Sequence, residues 1–210
     1  MNKQERNKMN TKTLALIIVF VALTAAIDAF APKIPFPLLP FLLYNLWEIP
    51  VVVCFLVFGP KIGLTVAFLN SFVLLILAPG YLPTGPFYNL IALLSMLIGV
   101  FAAYKIATYK CPTEKISSFL KKHQIGLSIS MTTLGIISRV AITTVANYFL
   151  ITLPSPIGFG SFFQFGNQTG HAAVLAYLPF SALFNATLAL YTIPVALIVT
   201  IAIVSRFKIQ

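Results

Sequence analysis

Long apolar stretches make up most of the chain, and short polar or Pro/Gly-rich segments separate them. A helix needs about 20 apolar residues to cross about 30 Å of membrane hydrocarbon. Six stretches satisfy this requirement and predict membrane-spanning helices. They lie at residues 13–31, 42–58, 62–79, 87–108, 124–150 and 173–204.

The composition is that of a polytopic membrane protein. Of the 210 residues, 59% are hydrophobic and 9% are charged, whereas about 25% of the residues in a soluble domain are charged. A soluble chain of this size could not bury so much apolar surface. We predict an all-α membrane protein with one compact six-helix bundle over residues 13–204, a basic N-terminus (1–12) and a short C-terminus (205–210).

The positive charges indicate how the helices are oriented. The net charge is +10, yet only Lys33 falls in a predicted outer connection and only Arg139 within a span. The other Lys and Arg residues fall on the side of the N-terminus, which is therefore predicted to be cytoplasmic, as is the C-terminus. We expect a multi-pass protein of the plasma membrane whose basic loops face lipid headgroups. No basic face with stacking aromatics indicates nucleic-acid binding.

The first apolar stretch has a second interpretation. Its basic start and the small residues around Ala29-Phe30-Ala31 resemble a signal peptide with a cleavage site. Its apolar core is longer than such regions usually are, which favours a retained helix. The connections on the outer side are rich in Pro and Gly, and the longest, 153–171, contains several Phe residues. We expect it to fold over the mouth of the bundle.

Motifs of catalysis and metal binding are missing. The chain has no G-x-x-x-x-G-K-[ST] phosphate loop and no H-E-x-x-H motif. The topology places His123 and His171 on opposite sides of the membrane, and only Asp28 and Glu48 supply acids at membrane depth. We therefore predict neither an enzyme nor a bound metal or cofactor.

Polar side chains within the spans gather toward the predicted outer half of the bundle. Charges at membrane depth are costly and usually face a bundle interior or a cavity. Four-residue spacing places Arg139 and Asn147 on one helix face. Hydrogen-bonding groups and aromatics from four spans suit a pocket open on one side better than a channel. The predicted substrate-binding residues are Tyr44, Asn45, Trp47, Glu48, Asn89, Arg139, Asn147, Tyr148, Ser181 and Asn185.

Several of these residues have structural alternatives. Glu48 either lines the pocket or forms an ion pair with Arg139. Trp47 is equally compatible with a belt residue at the membrane interface. Asn185 is equally compatible with a hydrogen bond between helices. The sequence alone does not choose between these interpretations.

Small residues form a stripe on the first predicted helix. Ala22 and Ala26 make an A-x-x-x-A motif, and Ala25 and Ala29 make a second, overlapping one. Such spacing lets another helix approach closely. The stripe therefore predicts either packing within the bundle or docking to a partner membrane protein.

Taken together, these features resemble the S components of energy-coupling-factor (ECF) transporters. The resemblance rests on six spans, the A-x-x-x-A motif and the segment YNLWEIPVVVCFLVFGPKIG (44–63), which ends in F-G-P-x-x-G. It implies a small membrane protein that binds a vitamin at its outer face and works with a transmembrane coupling subunit and two ATPases. It also implies that Glu48 begins a short second helix near the pocket, where Pro50 is tolerated in the first turn.

Within that family the chain looks most like the riboflavin-specific members. The segment 44–63 and the Asn147-Tyr148 pair carry this likeness, which implies that Asn147 contacts a flavin. Span six of those members reads L-P-F-N-x-x-K, but this chain has LPFSALF, with Ser181 and Phe184 in place of Asn and Lys. The resemblance thus supports the family more strongly than the ligand.

Two functions follow as hypotheses. The first is an S component that captures a vitamin-like molecule, with riboflavin the first candidate, for ATP-driven import by its partners. The alternative is a self-sufficient secondary transporter or channel in which Asp28, Glu48 and Arg139 form an ion relay.

Overall fold

The structure, a computed structural model, describes residues 11–77, 85–109, 120–154, 158–160 and 163–207. Most of the predicted basic N-terminus, the end of the C-terminus and most of the predicted inner loop at 108–124 lie outside these residues. The same holds for most of the 78–86 connection.

Six helices of 11 residues or more and two hairpins make up the described part of the chain. The first hairpin pairs β1 with β2, and the second pairs β3 with β4, both antiparallel. The helices are α1 (Thr11–Phe30), α2 (Glu48–Phe58), α3 (Pro60–Leu77), α4 (Gly85–Tyr109), α5 (Gln124–Thr152) and α6 (Gly170–Phe207), and the strands are β1 (Ile34–Phe36), β2 (Leu39–Tyr44), β3 (Gln164–Phe165) and β4 (Gln168–Thr169).

Four of the described helices, α1, α4, α5 and α6, are long and apolar enough to cross a membrane, while α2 and α3 are shorter apolar helices. This confirms a mostly helical protein of membrane type. That all six helices cross, and which side the termini face, remain predictions. The all-α expectation agrees with the described residues, most of which are helical, and two of the predicted outer connections contain short strands in addition.

The predicted span at 42–58 is wrong in its first part. The chain from Leu39 to Tyr44 is a strand, and the helix begins at Glu48. At about 1.5 Å per residue, the 11 residues of α2 rise only about 16 Å, half of what a span needs. The start at Glu48 agrees with the resemblance, and Pro50 lies in the first turn, where no intrahelical partner is lost.

The F-G-P-x-x-G motif makes the sharp turn between α2 and α3. Gly59 has φ of 91°, a left-handed conformation that suits glycine, and Pro60 begins α3. A Cβ on Gly63 would lie 2.6 Å from the Cβ of Phe55. The second glycine of the motif thus allows the two helices to pack closely after the turn.

The main core surrounds α2, whose residues from Pro50 to Phe55 are all buried. This helix packs on α3 and α6, α1 packs on α3, and α5 lies between α4 and α6. A short helix that is apolar on every side is thus enclosed by its neighbours.

A second, aromatic cluster lies where the two hairpins meet the first half of α6. The ring of Phe41 stacks on Tyr177 at 6.3 Å between centroids, and Phe165 meets the same ring edge-on at 6.0 Å. Phe36 and Phe184 approach to 5.6 Å in the same cluster. The described part of the 153–171 connection therefore folds back onto α6, in line with its Phe content.

Candidate functional site

A buried ion pair joins α2 to α5. The Arg139 guanidinium donates from Nη1 to Glu48 Oε2 at 2.5 Å and from Nη2 to Oε1 at 2.9 Å. The two side chains are 2% and 3% exposed. Glu48 is also the first residue of α2, where the helix dipole favours a carboxylate. Of the two interpretations of Glu48, the structure shows the ion pair.

Hydrogen bonds extend this pair into α6 and along α5. Arg139 Nε donates to Asn185 Oδ1 at 2.9 Å, and Asn185 Nδ2 donates to the backbone carbonyl of Ser181 at 2.9 Å. Asn147 Nδ2 donates to Ser181 Oγ at 2.8 Å. We call these five residues, Glu48, Arg139, Asn147, Ser181 and Asn185, the polar cluster. It contains one charge of each sign and connects three helices.

Other predicted site residues lie apart from the polar cluster. Trp47 is only 1% exposed and belongs to the main core, so it is not an interface residue open to lipid. The Tyr148 hydroxyl approaches His171 Nε2 at 3.3 Å, at the start of α6. Asn89 is exposed in the first turns of α4. The structure therefore brings together about half of the predicted set.

Tyr44 and Asn45 line a separate cavity of about 340 Å³ between the first hairpin and α6. Two hydrogen bonds cross from the hairpin end to α6: Tyr44 to Thr187 Oγ1, and Tyr191 to the backbone carbonyl of Asn45, both at 2.6 Å. We call this space the hairpin cavity. Its lining residues are Pro32, Ile34, Tyr44, Asn45, Leu46, Thr187 and Tyr191.

Thr187 and Tyr191, which bond to the end of the first hairpin, were not among the predicted residues. Their four-residue spacing places them on one face of α6, which is the signal that could have revealed them. It was not decisive, because Tyr177, Ser181 and Asn185 show a similar spacing on a neighbouring face.

Asp28, the second acid of the postulated ion relay, forms its own ion pair. Asp28, at the end of α1, accepts from Lys33 Nζ at 3.3 Å, with the lysine side chain 37% exposed. The relay residues Asp28, Glu48 and Arg139 thus belong to two ion pairs of very different exposure. Among the residues that the structure describes, no contact joins the two pairs.

The alanine stripe of α1 lies mostly on the surface. Ala22, Ala26 and Ala29 are exposed and Ala25 is partly exposed. The opposite side of α1 holds the helix in place through Thr24, which is fully buried and donates to Asn70 Oδ1 of α3 at 2.8 Å. Most of the stripe is therefore not used for packing within the described bundle.

Comparison with known proteins identifies a structural relative. No protein-family model matches the chain, and no curated protein does. A solved structure of the S component of a bacterial ECF transporter matches with a TM-score of 0.63 and 20% sequence identity. The match covers 96% of this chain and 100% of the other. The chain therefore has the fold of that S component over nearly its whole length.

Proposed function

We propose that this chain is the substrate-binding S component of an ECF-type ABC transporter. In this role it captures a vitamin-like small molecule at the extracellular face of the plasma membrane for ATP-driven import. The observation that carries the proposal is the shared fold with an ECF S component across 96% of the chain. Catalysis is not part of this role, because energy would come from partner subunits.

The predicted binding residues agree with such a role in their chemistry. Substrate pockets combine apolar and aromatic walls with a few placed polar groups. The polar cluster and the hairpin cavity supply both kinds of group, on α2, α5, α6 and the end of the first hairpin. Riboflavin is the first candidate substrate, because the segment 44–63 and the Asn147-Tyr148 pair resemble those of riboflavin-specific members.

The sequence of α6 differs from that of riboflavin-specific members at two positions, and this difference affects how well riboflavin fits as the substrate. Phe184 replaces the lysine of riboflavin-specific members and packs against the rings of Tyr44 and Phe36 at 5.1 and 5.6 Å. Ser181 replaces the asparagine and accepts from Asn147. Two polar contacts to a flavin are thereby replaced, which favours a vitamin-like substrate with fewer polar contacts at this helix.

The partners in this proposal are membrane lipid, a transmembrane coupling subunit and two ATPase subunits. The exposed alanines of α1 are the proposed docking surface for the coupling subunit, because small side chains let a partner helix approach closely. With both termini in the cytoplasm, the predicted basic segments lie on the side of the ATPases.

The test is to identify what the purified protein carries. The protein is purified in detergent without added ligand and denatured, and released compounds are identified by mass spectrometry. The near-ultraviolet and blue absorbance of the intact protein is recorded first, since a bound flavin absorbs there. A vitamin-like compound supports the proposal, and a flavin identifies the substrate. If no compound is released and none of a panel of vitamins binds, the proposal is wrong.

A further inference from the structure

The first hairpin, residues 34–44, is apolar on both of its faces. Its sequence is IPFPLLPFLLY, and its only polar side-chain atom is the Tyr44 hydroxyl, which bonds to Thr187 of α6 at 2.6 Å. One face packs into the aromatic cluster beside α6, where Phe36 and Leu39 are each 4% exposed. The side chains of the other face are 38–63% exposed, and we call them the outward face: Ile34, Leu38, Phe41 and Leu43.

The outward face is unsuited to a loop that lies in water. A contiguous exposed apolar patch marks a surface that contacts another protein or a membrane. The hairpin carries no charged or amide side chain with which water could bond. Its four outward side chains would therefore lose the most by facing water and gain the most by leaving it.

Contacts with α6 give the depth of the hairpin in the membrane. Arg206 lies at the predicted cytoplasmic end of α6. At about 1.5 Å per residue, Thr187, which bonds to Tyr44, is about 28 Å from Arg206 along the helix. Tyr177, which stacks on Phe41, is about 43 Å from it. Since the hydrocarbon core is about 30 Å thick and the whole bilayer about 40–45 Å, the hairpin extends from the outer hydrocarbon through the headgroup layer.

Helix α1 gives the same depth independently. Its 20 residues rise about 30 Å, the thickness of the hydrocarbon core, and end at Phe30. Phe30 is 88% exposed, and β1 begins soon after it, at Ile34. Between them, Lys33 pairs with Asp28 and keeps a side chain that is 37% exposed, as suits a cation at the headgroups. The lipid-facing surface of α1 therefore continues onto the outward face.

Three prolines suit the hairpin to a place with little water. Pro35, Pro37 and Pro40 have no backbone N–H. Proline in a sheet is confined to positions where an N–H would point away from the partner strand. Because each unpaired donor is costly in hydrocarbon, an edge with fewer donors loses less on leaving water. The remaining edge groups can bond to headgroups and interfacial water.

We propose that the first hairpin is inserted in the outer leaflet of the membrane and that its outward face binds lipid. The partner is the acyl chains near the headgroups, because the outward face has apolar side chains and no charge for a headgroup. The hairpin also carries Tyr44, a predicted substrate-binding residue, so contact with lipid helps to hold that residue in place. This inference goes beyond the proposed function and does not depend on the substrate.

Tryptophan fluorescence in lipid vesicles tests the proposal. Trp47 is the only tryptophan and is 1% exposed, so the unmodified protein gives the background. Phe41→Trp and Ile34→Trp each add a reporter on the outward face. The full-length variants are reconstituted in phosphatidylcholine vesicles and in vesicles of the same lipid brominated in its acyl chains near the headgroup. We expect the brominated lipid to quench most of the added fluorescence, and iodide on both sides of the membrane to quench little of it.

Gln168→Trp is the matched control on the second hairpin. Gln168 is exposed on β4, next to the start of α6 at Gly170. Gly170 is about 54 Å from Arg206 along the helix, which is beyond the bilayer. This reporter is expected to be quenched by iodide and not by brominated lipid. Thermal unfolding verifies that each variant is folded, and Leu38→Trp replaces a reporter on the outward face that prevents folding.

The outcomes separate lipid from the other possible surroundings of the outward face. Quenching by iodide and not by brominated lipid would mean that the hairpin lies in water, and the proposal would be wrong. Quenching by neither would mean that another protein chain covers this face, which also overturns the proposal, and chemical crosslinking would show whether that chain is a second copy. Each of these results leaves the proposed function standing, because none of them measures substrate binding.

Discussion

The Glu48–Arg139 pair connects residues that are 91 positions apart in the chain. Each ion alone would be very costly at this burial, so the pair exists because each partner neutralises the other. Asn185 satisfies a further guanidinium N–H at 2.9 Å. Removal of one partner should therefore lower the free energy of unfolding by much more than the net contribution of the pair.

Arg139→Met is predicted to destabilise the protein by about 3–5 kcal/mol, because it leaves the Glu48 carboxylate buried without a counterion. Denaturant unfolding in detergent measures this change. Lys33→Met provides the control, since the Lys33–Asp28 pair is partly exposed and should contribute about 1 kcal/mol or less. Equal losses of stability in the two variants would contradict the argument that burial makes the unpaired charge costly.

A double variant tests the same argument from the other side. Glu48→Leu combined with Arg139→Met removes both charges and replaces them with apolar side chains of similar size. It should recover most of the stability lost in Arg139→Met, because buried ion pairs are often replaceable by packed apolar groups. No recovery would mean that the hydrogen bonds of Arg139 to α6, rather than its charge, stabilise the bundle.

Asn147→Ala is predicted to weaken substrate binding about tenfold without unfolding the protein, because Asn147 is a predicted ligand contact whose side chain bonds to the Ser181 hydroxyl among the described residues. Titration with the compound that the protein carries measures the affinity. Ser138 lies on the same helix and bonds to Ser95 of α4. Ser138→Ala is therefore the control for binding. An unchanged affinity in Asn147→Ala would exclude this residue from the site.

The region of α2 shows where an apolar sequence pattern fits both a strand and a helix. The stretch 42–58 is apolar enough to be predicted as one helix, yet its first three residues belong to β2. A short apolar run fits a strand and a helix equally well by periodicity alone. Pro35 and Pro40 were the available signal, since proline is compatible with the unpaired edge of a hairpin.

Helices α4 and α5 can pack as closely as they do because residue 99 of α4 is glycine. A Cβ on Gly99 would collide with the Leu134 carbonyl of α5, and Ser138 of α5 donates to the Ser95 carbonyl of α4 at 2.6 Å. The collision is with backbone, so neither helix can relieve it by a rotamer change. The two helices must therefore move apart if Gly99 is enlarged.

Gly99→Ala is predicted to destabilise the protein by about 1–3 kcal/mol through this forced separation. Gly126→Ala is the matched control, because Gly126 is also in a helix and a Cβ there meets nothing within 4 Å. It should stabilise by up to about 1 kcal/mol, the helix-propensity difference between the two residues. Thermal unfolding of both variants in one detergent gives the comparison, and effects of the same sign would refute it.

The apolar pattern predicted most of the helices and little of how they pack together. Five of the six predicted segments agree with observed helices to within about three residues. Helix spacing placed Arg139 and Asn147 on one face, but which helix packs beside that face depends on the tertiary fold. The hairpin cavity was not predictable for the same reason, since it forms between elements far apart in the chain.

The alanine stripe of α1 shows what the whole fold adds to a sequence motif. Alone, A-x-x-x-A fits packing inside the bundle as well as docking outside it. In the structure α1 packs on α3 through Thr24 and leaves Ala22, Ala26 and Ala29 exposed. A surface of small side chains on a membrane helix favours a second helix over lipid, because it lets backbones approach closely.

Replacement of Ala22 and Ala26 together by Leu is predicted to abolish association with a coupling subunit while substrate affinity stays unchanged. Larger side chains would hold a partner helix away from α1, and neither position contacts the polar cluster or the hairpin cavity. Co-purification with the coupling subunit, and titration of the same preparation, measure the two properties. Leu190→Phe on α6 is the control for a changed exposed apolar residue elsewhere and should keep the partner. If the double variant still binds the coupling subunit, the docking surface lies on another helix. If it loses substrate binding, α1 supports the substrate site itself.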